Sequence, residues 1–288
     1  VKLTVGSLFS GIGGMDLGFC NAGFKTIWFC EKDRSCQRLH NKFPGVPIYS
    51  DVKDLLKTRL LGNNPIPVPD VIIGGDPCPA RSIAKGNHES RHPDLSGYYL
   101  AVAARLAPRW VVRENVPSPN VNEFALALEA CGYAVVVIWA NASQFVPQNR
   151  ERAFVVGCTS KTAIRMFHVQ ATNPSSRKAL SKVQHAVLGC LMSQEGGNVR
   201  NANFVWKSGK GLRRLLAEEY EYGFGFPIGW TSGFSDAVRK RMCGNAVVPA
   251  VAEAIAIEIK KASSKIKSWS VLDTDAGIQR VLARKLVI

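Results

Sequence analysis

The sequence predicts an α/β fold, a mostly parallel sheet with helices on both faces, followed by a small second domain. Three observations lead there. Over residues 1–157 short apolar runs alternate with helical patterns, as in strands joined by crossover helices. Several of these runs end on glycine or charged residues, at the point where the chain leaves the sheet and a site can form. Past Cys158 the periodic apolar pattern fades, and Lys, Arg, Asn, Ser and Gly become common up to about Gly211.

The chain has 288 residues and 46% hydrophobic content, enough for a sizeable core. Its 37 Lys and Arg against 22 Asp and Glu give a formal charge of +15, which favours a polyanionic partner such as nucleic acid. The 8 cysteines are scattered without a C-x-x-C pair, and the 5 histidines lack zinc-finger spacing. That is a reduced, intracellular pattern, with Cys20, Cys30 and Cys158 lying in apolar runs as core residues. A signal peptide is not expected, nor a membrane span, for want of an apolar run of about 18 residues.

The elements follow in chain order. Val1–Val5 reads as a short strand, running into Ser7-Leu8-Phe9-Ser10-Gly11-Ile12-Gly13-Gly14 and a helix. Glycines let a ligand approach the backbone, and a helix N-terminus presents N–H groups to it. The spacing is neither G-x-G-x-x-G nor a P-loop, so the turn serves a nucleotide-type cofactor or is only a tight connection. Thr26–Cys30 is the second strand and ends at Glu31, which suits ribose hydroxyls or the positive end of the next helix, Arg34–Phe43. Asp51 ends a third short strand; it either caps a helix over Val52–Leu61 or accepts an adenine amino proton.

Val71–Ile73 is a buried strand, and Gly74-Gly75-Asp76-Pro77-Cys78-Pro79 leaves it. Cys78 therefore stands on a rigid turn at a strand's C-terminal end, as a nucleophile or as an inert loop cysteine. Residues 80–91 form a long basic loop suited to phosphate contacts. After a helix over Leu95–Leu106, the strand Trp110–Val112 runs into Arg113-Glu114-Asn115-Val116-Pro117. Glu114 is either half of a plain salt bridge or an acid acting on a bound base. Asn122–Cys131 is a helix and Tyr133–Trp139 a strand. Arg150 and Arg152 alternate, which points both to one side of an extended segment before the strand Ala153–Gly157. Beyond Cys158 basic residues interleave with Phe167, Phe204 and Trp206, a pattern suited to reading nucleic acid or to a loose insertion. A helix over Leu212–Glu219, the turn-rich Gly225–Thr231 and a long apolar helix from Pro249 to about Lys261 complete the chain before a basic tail, 263–288.

Taken together, Phe9-Ser10-Gly11-Ile12-Gly13-Gly14, Gly75-Asp76-Pro77-Cys78, Glu114-Asn115-Val116, Gln148-Asn149-Arg150-Glu151-Arg152, Gly225-Phe226-Pro227 and Gly244-Asn245-Ala246-Val247-Val248-Pro249 resemble the cytosine-5 DNA methyltransferase family, in that family's order. The resemblance implies a Rossmann-like class I methyltransferase sheet over 1–157. It also implies a small target-recognition domain over 158–235 and a C-terminal segment, 236–262, that returns to the catalytic domain. It implies S-adenosyl-L-methionine as cofactor, lined by Phe9, Ser10, Gly11, Gly13 and Pro77, with Glu31 on the ribose, Asp51 on the adenine, and Asn245, Ala246 and Val247 closing the pocket. Cys78 would be the nucleophile and Glu114 would contact the flipped cytosine, with Arg150 and Arg152 orienting that glutamate, the loop and the base.

The implied partner is double-stranded DNA, with no metal and no membrane, acted on by a monomer in the cytoplasm, or the nucleus if the host is a eukaryote. The chain departs from the family's pattern at Pro79, where glutamine is usual, at Arg81, and at Arg113, where an apolar residue is usual. A tRNA cytosine-5 methyltransferase of the same fold is the nearest alternative, but its Pro-Cys-Gln and Cys-Phe-Thr signatures are not in this sequence. A catalytically silent DNA-binding relative would not need Cys78, Glu114 and Arg152.

Overall fold

The computed structural model describes residues 2–60, 66–77, 94–168, 188–192, 204–207, 211–267 and 269. Its centre is a seven-stranded sheet in the order β3-β2-β1-β4-β5-β7-β6. The strands are β1 (Thr4–Leu8), β2 (Lys25–Cys30), β3 (Ile48–Tyr49), β4 (Val71–Gly74), β5 (Trp110–Asn115), β6 (Ala134–Asn141) and β7 (Glu151–Cys158). The pairs among β1 to β5 are parallel, and only β7 runs antiparallel to its neighbours β5 and β6. The strand order reverses between β1 and β4, where an open α/β sheet leaves a crevice beyond the strand ends. There Leu8 pairs with Gly74, so the glycine-rich turn after β1 and the turn after β4 leave the sheet side by side.

Helices cover both faces because the buried strands are apolar on both. In β4, Val71 and Ile73 join one core cluster while Ile72 joins the other; in β7, Phe154 and Val156 oppose Ala153 and Val155 in the same way. On the first face lie α1 (Gly14–Asn21), α6 (Lys161–Met166), α7 (Ala217–Phe224), α8 (Asp236–Gly244) and α9 (Pro249–Ser264), represented by Phe19, Ala163, Phe224, Met242 and Ile255. On the second lie α4 (Ser96–Leu106) and α5 (Pro119–Ala130), with Tyr99, Leu100, Phe124 and Leu128. Two short helices, α2 (Arg34–Leu39) and α3 (Val52–Asp54), carry the chain around β3. A separate hairpin pairs β8 (Phe204–Lys207) with β9 (Gly211–Arg214).

Several elements differ from the sequence expectation. The first strand is Thr4–Leu8, displaced toward the glycine turn because it pairs with β2 and β4 up to Leu8. The expected helix over Leu212–Glu219 is instead the strand β9 followed by α7. Glu219 decides the boundary: its carboxylate takes the Leu216 N–H at 2.7 Å and both terminal nitrogens of Arg213, which anchors a helix start at Ala217. Helix α8 was not anticipated, since its pattern is mostly polar. The helix expected over Val52–Leu61 is only one turn of α3 continued by a π-helical turn, Leu55–Leu60.

By length and composition Asp236–Ser264 could cross a membrane, but 61% of its apolar window is buried against the rest of the protein. Its second half packs on α1, where a Cβ added at Gly18 would run into the Pro249 carbonyl oxygen. Helices α6 and α7, at either end of the segment assigned to recognition, also pack in the first core cluster.

One buried carboxyl has no cation beside it among the described residues. Asp16, fully buried on α1, accepts from the Ser7 hydroxyl at 2.8 Å and the Thr26 hydroxyl at 3.1 Å. Burial pushes its carboxyl up to about 7, against the pull of those two hydroxyls. The folded protein therefore keeps a proton that the unfolded chain releases above pH 4. This group's contribution to stability therefore falls as pH rises from about 4 to 7, by up to about 4 kcal/mol. Asp16→Asn removes that dependence, so its melting temperature relative to the parent should climb between pH 5 and 7.5. A difference that stays constant across that range in thermal unfolding would rule this out.

Candidate active site

The glycine-rich turn owes its shape to positive φ at Phe9 (52°), Gly11 (55°) and Gly13 (79°), closed by a 2.8 Å bond from the Gly13 N–H to the Ser10 carbonyl. Only glycine takes that region without strain, so Phe9 is held there by its surroundings; its ring stacks 6.4 Å from that of Tyr99. A Cβ built on Gly11 meets nothing within 4 Å, which leaves open space over the turn. Ser10 Oγ lies 2.9 Å from His40 Nε2, and burial holds that imidazole neutral, its pKa lowered to about 4.

Glu31 leaves β2 toward this turn. Its two oxygens accept the Gly11 and Asp33 N–H groups, each at 2.7 Å. Burial raises its carboxyl pKa, and these two bonds oppose the rise. The Lys32 backbone also lowers it, and the half-buried carboxylate keeps some acceptor capacity for a ligand hydroxyl. Asp51 caps α3, accepting from the Lys53 N–H at 2.9 Å, and pairs with Lys32 at 3.0 Å. Burial pushes it up, but the Lys53 N–H and the Lys32 ammonium outweigh that and lower it overall. The cap reading of Asp51 is thus seen directly.

The far end of the chain completes this wall. Val247 carries the carbonyl that a Cβ on Gly14 would strike, and Asn245 is exposed beside the buried Ala246. Trp230 Nε1 donates to the Ile12 carbonyl at 2.9 Å, with the Phe226 ring 5.6 Å away and Lys42 4.8 Å over its face. Trp230 was not singled out from the sequence. A tryptophan in a glycine-rich turn is its signal there, without a partner to give it meaning.

On the other side of the crevice, Pro77 is exposed and is the last residue described before the basic loop. Cys78, Pro79, Arg81 and Ser82 lie outside the described residues. Glu114 sits at the end of β5, with Arg152 Nε 2.9 Å from its Oε1. A Cβ on Gly75 would stand 2.9 Å from Glu114 Oε2, so the carboxyl lies against the turn that leads to Cys78. Burial raises the Glu114 pKa, and Arg152 and then Arg150 draw it down.

The two arginines line one small cavity, as their alternation requires, but take different partners. Arg150 acts on Glu114 only through space. Its N–H groups go to the carbonyls of Leu191, Gly244 and Ala246 at 3.1 to 3.2 Å and to the Cys190 sulfur at 3.6 Å, and its guanidinium lies 5.0 Å over Phe224. It ties β7 to the returning C-terminal segment. The sequence offered no sign of these acceptors, because carbonyls belong to every residue.

Arg113 also has its explanation. It is fully buried, and so is Asp76, which it grasps with Nε and, at 2.8 Å, with a terminal nitrogen. A cation following Trp110-Val111-Val112 must find an anion in the interior. The parallel register, Gly74 opposite Arg113, makes Asp76 that anion.

Residues 3–204 and 178–261 match the family model described as C-5 cytosine-specific DNA methylase. Among curated relatives, a type II methyltransferase of a Bacillus species, M.Bsp6I, is 31% identical over 60% of this chain and 57% of its own length. M.NgoFVII of Neisseria gonorrhoeae is 31% identical over 73% of this chain and 58% of its own length. The chain thus spans under three fifths of the length of these relatives. Among solved structures, a methyltransferase of Entamoeba histolytica superposes with a TM-score of 0.66 at 15% identity, covering 91% of this chain and 98% of that one. A putative DNA modification methyltransferase from an Escherichia coli prophage gives 0.64 at 18%, covering 92% and 100%. Both share the fold.

Replacing Arg150 with Met keeps its length and removes its donors, leaving three carbonyls unanswered. The urea midpoint should fall by an amount equivalent to about 3 kcal/mol; an unchanged midpoint would show that Arg150 holds nothing together. With the family model covering more than half of its length, from Leu3 in the first strand region to Lys261 near the end of α9, this chain belongs to the C-5 cytosine-specific DNA methylase family.

Proposed function

We propose that this chain methylates carbon 5 of a cytosine flipped out of double-stranded DNA, through a transient bond from Cys78. The observation that carries the reading is the placement of Glu114. It is a buried carboxyl, paired with Arg152 and set against the turn that leads to Cys78, beside a glycine cradle that fits a nucleotide-type cofactor.

S-adenosylmethionine would lie in that cradle, held by Phe9, Ser10, Gly11, Gly13 and Pro77, with Glu31 on the ribose hydroxyls and Asp51 toward the adenine. Asn245, Ala246 and Val247 would close it. The open space at Gly11 and the half-buried carboxylate of Glu31 beside it fit such a group. Bound there, it supplies the electrophilic sulfonium methyl that carbon 5 receives.

The chain's own residues prepare the base. Carbon 5 of cytosine is a poor nucleophile, so the Cys78 thiolate adds to carbon 6 and shifts electron density to carbon 5. Glu114 provides a proton at ring nitrogen 3 as that charge develops. Burial raises its pKa above the ordinary carboxylate value, which favours the acid form, while Arg152 fixes its direction and keeps the rise in check. Loss of the carbon-5 proton to water then expels the thiolate and returns the nitrogen-3 proton to Glu114. A stacked base is out of reach of these groups, so the cytosine leaves the duplex first.

Target reading is assigned to 158–235, the segment that contains α6 and α7. The compartment is the one that holds the DNA, and the steps above use no metal.

Base-resolution methylation sequencing of plasmid from cells expressing the chain and its Cys78→Ser variant tests the proposal. Methylated cytosines should appear only with the parent, and their context gives the target sequence; marks that persist in Cys78→Ser would overturn the assigned nucleophile. Glu114→Gln should lower kcat about 100-fold or more while cofactor affinity changes little, because the acid acts on the base. Equal losses in both would remove Glu114 from the chemistry.

A further inference from the structure

We propose that the buried Asp76–Arg113 pair is the positioning device that aims the Cys78 turn and Glu114 at the same base. This rests on the roles given above to Cys78 and Glu114.

The pair joins two strand ends. Asp76 lies two residues beyond β4 and two before Cys78; Arg113 lies in β5, one before Glu114. Both side chains are 0% exposed. The guanidinium takes both carboxylate oxygens, gives a further bond to Asn120 Oδ1 at 2.6 Å, and lies 4.3 Å over the Phe124 ring. From the same strand, Asn115 Nδ2 reaches the Asp76 carbonyl at 3.3 Å. The Asp76 side chain and backbone are therefore both held by β5.

The need for such a tie is local. Gly74 and Gly75 precede Asp76, and two adjacent glycines are the least restricted way for a chain to leave a strand. Successive strand residues face opposite sides, so Arg113 and Glu114 project from opposite faces of β5. Fixing the Arg113 fork fixes the backbone from which Glu114 reaches into the crevice.

Stability alone does not call for this pair. Burying two charges costs about what their attraction returns, and apolar residues of similar volume serve as well or better. A two-pronged bond supplies something else: it fixes orientation as well as distance. What the pair adds is the mutual placement of the two turns.

The test compares the full chain with Asp76→Val/Arg113→Leu and with Arg113→Lys. The apolar double variant should fold with a melting temperature at or above the parent's and bind S-adenosylmethionine within about threefold of it. Its kcat on DNA should fall about 100-fold, as a misplacement near 1 Å would cause, with little change in KM. Arg113→Lys keeps the charge but not the fork, and should lose kcat by a comparable factor. Amide hydrogen exchange should quicken in 74–76 and 113–116 of the double variant and stay as in the parent elsewhere. Parent-like kcat and parent-like exchange in the double variant would overturn the proposal, as would losses that merely follow the melting temperature. If the parent itself methylates no DNA, the reading of the site fails. The positioning claim is then decided by the local exchange alone, which stands if 74–76 and 113–116 quicken and falls if they do not.

Discussion

The close approach of α1 to the start of α9 is the constraint on which the rest depends. Gly14 and Gly18, one helical turn apart, present bare backbone, and the carbonyls of Val247 and Pro249 fill the space a side chain would take. The returning segment is thereby set beside the glycine-rich turn. Arg150 then fastens it to β7 through Gly244 and Ala246, and Trp230 holds the turn itself through Ile12. Small side chains at two positions let the two ends of the fold meet at the crevice where the strand order reverses.

The buried charges are handled in different ways, and each way suits its place. Arg113 and Asp76 neutralise each other in full burial, and Glu221 takes Arg239 together with Thr231 and the Gly229 N–H. Glu114 has an arginine on one oxygen and is buried but for about a tenth of its side chain, with its other oxygen against Gly75. Asp16 accepts from two hydroxyls and its own backbone, and burial pushes its pKa up to about 7. The first two arrangements fix structure, the third leaves one carboxylate oxygen against the Gly75 turn, and the fourth makes stability sensitive to pH.

The sheet was legible because its strands are short β-branched and aromatic runs whose ends carry glycine or charge. That rule placed Glu31 and Glu114 at or beside strand ends, where they lie, but left each with two readings, and their roles came from the family resemblance. The helices of the C-terminal half were harder. Leu212, Leu215 and Leu216 mimic a helical stripe, and it is the Arg213–Glu219 pair that moves the helix start beyond them. Asp236–Gly244 carries only Arg239, Met242, Cys243 and Gly244 inward, too little for periodicity to register. Arg113 and Arg150 show the deeper limit. A buried cation is visible in a sequence as an anomaly, but its acceptors lie at the ends of other elements or are plain carbonyls, and only the assembled chain names them.

The contact between α1 and α9 also sets an order of events during synthesis. Gly18 leaves the ribosome more than two hundred residues before Glu253, whose backbone nitrogen would meet a Cβ placed on it. At about 5–20 residues per second, the groove on α1 stays uncovered on the order of ten seconds or longer. Throughout that interval the N-terminal strands and their glycine turn exist without the wall that closes them. A nascent chain interrupted before Pro249 would present an apolar helix face in place of a finished pocket, which is the kind of surface that chaperones and proteases recognise.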